Sequence, residues 1–202
     1  MVEAFGKIVK TIKCSNENIK ITTPEDLAIA EGILRVRSNT FNDFRIGFGM
    51  DSHAFSENKE KPLILGSFVV PNETGLEADS DGDVVLHALF NAISQAIGDR
   101  SLGYYAIPLF KEKGITDSRE YLKIMLDKLN SARYILNNAG ITIEAKKPKL
   151  EQYSEKIRES LCSILKINQD RIGINFTSGD GLTSFGQGRG MQCFAVVTTQ
   201  RI

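Results

Sequence analysis

Both histidines of this 202-residue chain fall in two short motifs, RIGFGMDSHAF at 45–55 and SDGDVVLH at 80–87, and neither motif is complete without the other. In the first, an extended segment presents alternate residues on one side, so Asp51 and His53 point together. In the second, Ser80 with Asp83 three residues on resembles a capping box, and a helix is predicted from about 81 to 97. Asp83, His87 and Asn91 then share one face at steps of four, opposite an apolar side marked by Val85, Leu89, Ala92 and Ala96. If His87 completes a set with Asp51 and His53, the fold brings a strand edge and a helix face together, and Gly47 and Gly49 suit a strand closely approached by another backbone.

The rest of the chain supplies elements for such a fold. Strands are predicted at 63–70, followed by turn chemistry at 71–75, and at 141–145, 171–177 and 191–199. A helix opening at Ser118 carries Leu122, Met125, Leu129, Ala132 and Leu136 at core spacing until Gly140 ends it, and another runs from about 152 to 165. Strands alternating with helices make this an α/β (α+β) protein, a mixed sheet packed with about three helices. Residues 1–42 stand apart: short strands at 7–13 and 19–22, then Thr23-Pro24-Glu25-Asp26 as the start of a helix to about Leu34. Residues 35–43 read as a linker, and 43–202 as the main domain.

Three donors, Asp51, His53 and His87, match the catalytic zinc pattern of three protein ligands with an open fourth position. Spacing alone also allows a capping aspartate and two ordinary histidines. Ser80-Asp81-Gly82-Asp83 is either a plain helix cap or a set of free amides suited to phosphate. The same holds for Lys146-Lys147-Pro148-Lys149, a solvated turn or a phosphate or nucleotide cradle. Thr177-Ser178-Gly179-Asp180 offers hydroxyls, amides and a carboxylate fit for Mg²⁺ and diphosphate, as many polar loops do. Lysine plus arginine equals aspartate plus glutamate at 25 each, so charge gives no reason to invoke nucleic acid or an anionic membrane. Three isolated cysteines without a CxxC spacing, no signal-like apolar stretch and no long apolar run point to a cytoplasmic, non-membrane protein.

The order RIGFGMDSHAF, ILGSFVVP, SDGDVVLHAL, DSRE, ITIEAKKPKL and TSGDGLTSFGQGRG closely resembles the 2-C-methyl-D-erythritol 2,4-cyclodiphosphate synthases, over about 44–201. The resemblance implies a homotrimer with active sites between neighbours. It also implies conversion of a CDP-linked methylerythritol phosphate to a cyclic diphosphate with release of CMP. It puts Zn²⁺, or another divalent cation, on Asp51, His53 and His87, and Mg²⁺ or Mn²⁺ by Asp180. Ser178 matches the hydroxyl that steadies the transition state, with Thr177 beside it. Ala145, Lys147, Pro148, Lys149 and Leu150 match the nucleotide cradle. Ser80, Gly103, Phe185 and Gln187 complete the substrate contacts.

Some positions depart from the family. Asp79 stands where a histidine is usual at a catalytic position, and Asn91 replaces an aspartate expected to hold His87. Gln187 replaces an arginine, and 98–109 lacks the DIG...FPDTD wording. Two further readings therefore stand beside an active synthase: a nucleotide-binding homologue without turnover, and a zinc-dependent phosphohydrolase. NIKITTPEDLAIAEGIL resembles the C-terminal end of the cytidylyltransferase acting two steps earlier, as in bifunctional fusions. Lacking that enzyme's glycine-rich loop, this chain is expected not to transfer cytidylyl groups.

Overall fold

The computed structural model describes residues 5, 6, 8–10, 12–37 and 43–202. The chain divides into two units, 1–43 and 44–202. In the first, α1 (Pro24–Arg37) starts as the sequence predicts. The Thr23 hydroxyl accepts from the Asp26 amide, and the Asp26 carboxylate accepts from the Thr22 and Thr23 amides, a capping box closed in both directions. Leu27 and Leu34 remain exposed. The strands expected at 7–13 and 19–22 do not form among the described residues. Residues 7 and 11 lie outside the described residues, and a lone two-stranded ribbon is marginal in water.

In the second unit, β1 (Phe44–Ala54), β6 (Gly190–Arg201), β4 (Tyr134–Glu144) and β5 (Ile172–Thr177) form a mixed sheet in the order β1-β6-β4-β5, with only β4 and β5 parallel. Helix α2 (Val84–Ile97) lies across one face, and the glycines of β1 permit this. A Cβ at Gly47 would sit 1.8 Å from the Ala92 carbonyl oxygen, and one at Gly49 2.1 Å from that of Ala88. Met191, Cys193, Ala195 and Val197 of β6 and Ile141 and Ile143 of β4 join α2 in the core. Helices α3 (Leu102–Lys113), α4 (Ser118–Ser131) and α5 (Ser154–Leu165) complete the unit, making four helices here rather than about three.

Three expectations need correction. The strand at 63–70 is a hairpin, β2 (Pro62–Leu65) and β3 (Phe68–Thr74). It reverses at Gly66-Ser67, both left-handed, as a two-residue turn requires. Helix α4 stops at Ser131 instead of running to Gly140, and Arg133 turns the chain with φ of 63°. Tyr134 and Leu136, spaced two apart and both buried, then obey the strand period, whereas the Leu129–Ala132–Leu136 steps of three and four suit a helix when read alone. Finally, α2 begins three residues later than predicted, because Asp83, not Ser80, is its N-cap. The Asp83 carboxylate accepts from the amides of Val85 and Leu86, and from those of Gly66 and Ser67 in the hairpin turn. It pins hairpin to helix, although burial pushes its carboxyl up to about 6 against the pull of those amides.

Candidate metal centre

Asp51 and His53 lie on the inward face of β1, two residues apart, and His87 comes from the end of the first turn of α2. The sequence expectation that these three meet holds. Asp51 Oδ2 is 3.0 Å from His53 Nε2 and 2.8 Å from His87 Nδ1, and the three donor atoms lie within 4.8 Å of one another. Burial disfavours a charge on Asp51, yet the two imidazoles hold its carboxyl down at about 2. The Asp51 carboxylate in turn raises His53.

The far side of the His87 ring decides what these atoms can hold. Ser118 Oγ gives its single hydrogen to Asp81 Oδ1 and lies 2.8 Å from His87 Nε2. The hydroxyl is therefore left to accept from Nε2–H, so Nδ1 presents a lone pair. That lone pair faces a carboxylate oxygen at 2.8 Å, and two acceptors at this separation need a proton or a cation between them. A tetrahedral ion about 2 Å from each ligand would set them about 3.3 Å apart. The donor set thus fits a divalent metal, with a small opening of the two Asp51–imidazole separations. Ser118 and Asp81 escaped the sequence reading: their contact joins residues 37 apart, and only the chemistry of the DSRE helix start hinted at it.

Asn91 does not support His87, contrary to the position's expected use. Its Nδ2 donates to the Met50 carbonyl, and its Oδ1 accepts from the Leu102 amide. One helical turn beyond His87, it has turned toward β1 and the start of α3, an element the sequence reading missed. Ser101 before α3, and Lys111, Lys113 and Gly114 at its end, were its available signals.

Asp79, Ser80 and Gly103 line the same cavity of about 300 Å³ as the three ligands, roofed by Leu102, Ala106, Ile107 and Phe110 of α3. Ala145, Pro148, Lys149, Leu150, Thr177 and Ser178 line a second, of about 320 Å³, where β4 and β5 end. Lys147 and Gln187, again with Pro148, line a third of about 500 Å³. Asp180 and Phe185 line none of these three. Asp180 sits in a turn at Gly179–Gly181 with φ of 49°, and the Phe185 carbonyl accepts from the Lys146 amide. The chain thus gathers the metal-donor candidates in one place and the nucleotide candidates in another.

Residues 44–200 match the model of the YgbB family. The chain is 46% identical over 156 residues to the 2-C-methyl-D-erythritol 2,4-cyclodiphosphate synthase of Chlamydia muridarum, covering 77% of this chain and 87% of that one. A solved synthase in its CDP-bound form superposes with a TM-score of 0.67 at 30% identity, over 76% of this chain and 98% of the other. The bifunctional IspDF of Campylobacter jejuni covers this chain completely with 53% of its own length, at a TM-score of 0.73 and 26% identity.

Proposed function

The chain belongs to the YgbB family, and on that premise we propose that it is a cyclodiphosphate synthase of non-mevalonate isoprenoid biosynthesis. It converts 4-CDP-2-C-methyl-D-erythritol 2-phosphate to 2-C-methyl-D-erythritol 2,4-cyclodiphosphate. A 2-phosphate oxygen forms a bond to the β-phosphorus, the bond from that phosphorus to the bridging oxygen breaks, and CMP leaves with the oxygen. The observation that carries this reading is the Asp51–His53–His87 set, with its lone pair facing a carboxylate, in a cavity that also takes in Asp79, Ser80 and Gly103.

Asp51, His53 and His87 would hold the divalent ion, Zn²⁺ by donor chemistry, and a bound ion there neutralises and orients a phosphate. Because the reaction joins two ends of one molecule, positioning is the larger part of catalysis. On the nucleotide side, the segment 145–150 is assigned to the CDP moiety. The Ser178 hydroxyl is assigned to the transition state, with Thr177 beside it and Asp180 as the seat for Mg²⁺ or Mn²⁺. Gln187 and Lys147 stand at the edge of this region.

The metal side and nucleotide side occupy separate cavities of one subunit, which supports a homotrimer whose sites are built between neighbours. Residues 1–42 are assigned to a segment like the C-terminal end of a cytidylyltransferase, with a linker, and 43–202 to the synthase domain. A cytoplasmic location fits three free cysteines among the described residues and the absence there of a helix long and apolar enough to cross a membrane. Phosphorus NMR with the CDP-linked substrate, Zn²⁺ and Mg²⁺ tests the reading. Equal amounts of CMP and cyclic diphosphate are expected; CMP with a free phosphate instead would replace synthase by phosphohydrolase, and binding without either product by a degenerate homologue.

A further inference from the structure

We propose that Glu144 is a positioning residue for the nucleotide side of the site, latching the glycine-rich loop 178–189 to the segment 145–150; this rests on the assignment of those two segments above. Glu144 ends β4 and is 6% exposed. Ile141 and Ile143 alternate into the core, so the strand period turns Glu144 to the opposite face. Its burial there comes from the loop.

The Thr183 hydroxyl donates to Glu144 Oε1. The same Thr183 oxygen accepts from the Gly186 amide at 2.9 Å, and the Thr183 carbonyl accepts from the Gln187 amide at 2.9 Å. One carboxylate therefore fixes the middle of the loop. Its other approach is to Gly179, where an added Cβ would lie 2.2 Å from Oε1. No larger residue fits between the carboxylate and the loop's first turn. On either side, the Ala145 amide donates to the Thr177 carbonyl at 3.0 Å and the Lys146 amide to Phe185 at 3.1 Å. Glu144 thus stands at the junction where Ala145, Thr177 and Ser178 line one cavity. A buried carboxylate is costly without a donor and strong with one, so removing either partner should loosen the loop more than it unfolds the chain.

The test compares Glu144→Ala, Glu144→Gln, Thr183→Val and the Glu144→Ala/Thr183→Val pair in the full-length protein. CDP affinity is read by calorimetry, turnover with the CDP-linked substrate, and metal content by elemental analysis. Glu144→Ala and Thr183→Val should each weaken CDP about tenfold, the pair no more than either alone, and Glu144→Gln, which keeps an acceptor, about twofold or less. Metal content should stay at the wild-type level throughout. Unchanged CDP affinity in Glu144→Ala, additive losses in the pair, or an equal loss in Glu144→Gln would overturn the latch. Wild-type protein that does not bind CDP would instead overturn the functional reading beneath it.

Discussion

His87 shows how much of a site one residue's neighbours decide. The ring is fixed from behind by Ser118, itself held at its amide and hydroxyl by Asp81, and this relay leaves Nδ1 aimed at Asp51. Ser118→Ala should therefore lower divalent-metal affinity about tenfold or more without removing a ligand, measured by competition against a chromogenic chelator. Affinity equal to wild type would mean that Asp51 alone orients the ring. Removing a ligand outright, by His53→Ala or His87→Ala, should abolish stoichiometric metal and turnover together; full turnover in a metal-free variant would sink the assignment. Asp79, exposed on the cavity wall, sets an anion near an anionic substrate, so Asp79→His should lower KM severalfold. An unchanged KM would show that the position does not meet the phosphates. That Asp51, His53 and His87 meet was legible because strand and helix periods place them locally. Ser118 was not, because no local period links residues 31 apart.

At the scale of elements, misread stretches were those whose local pattern suits two structures. Leu136 continues the helical steps of Leu129 and Ala132 yet also stands two from Tyr134, the strand step, and the left-handed Arg133 commits the pair to β4. Helix α3 escaped because it has no fully buried residue and an internal Pro108. Leu102, Tyr105, Ala106 and Leu109 pack partly buried against the core, and a polar clamp adds to that hold. The Tyr105 hydroxyl and the Arg100 amide donate to Asp99 Oδ1, and the Lys128 ammonium of α4 pairs with Oδ2 at 2.9 Å. The Tyr105 hydroxyl first, then Lys128, lowers the Asp99 carboxyl to about 2, against about 3.9 in an unfolded chain. A folded value below the unfolded one means the clamp stabilises fully above about pH 4 and is lost as pH falls toward 2. Asp99→Asn should thus lower Tm near neutral pH, and the gap to wild type should close between about pH 4 and pH 2.5. A gap independent of pH would trace the loss to packing rather than charge.

Across the whole of the second unit, the sheet has two unlike faces. The inward residues of β1 are Gly47, Gly49, Asp51 and His53; the outward ones are Phe44, Ile46, Phe48 and Met50, between 44% and 70% exposed. Register sets Phe48 against Val196 and Met50 against Phe194 on β6, so the exposed residues join into one apolar surface with Phe48 and Phe194 stacked at 6.2 Å. Contiguous exposed apolar surface of this kind is expected to be covered by a partner. A second copy of the chain is the economical occupant, because one subunit leaves its metal donors and nucleotide segments in separate cavities. Sedimentation equilibrium should give about three times the 22.4 kDa chain mass. Phe48→Asp puts a charge in that surface while leaving the opposite face of β1 untouched, so the variant should sediment as a monomer, bind one divalent ion per chain, and turn over no substrate. A wild-type monomer with full activity would refute shared sites. A monomeric Phe48→Asp that stays active would show that one subunit closes its own cavities around the substrate, and that the apolar face serves association alone.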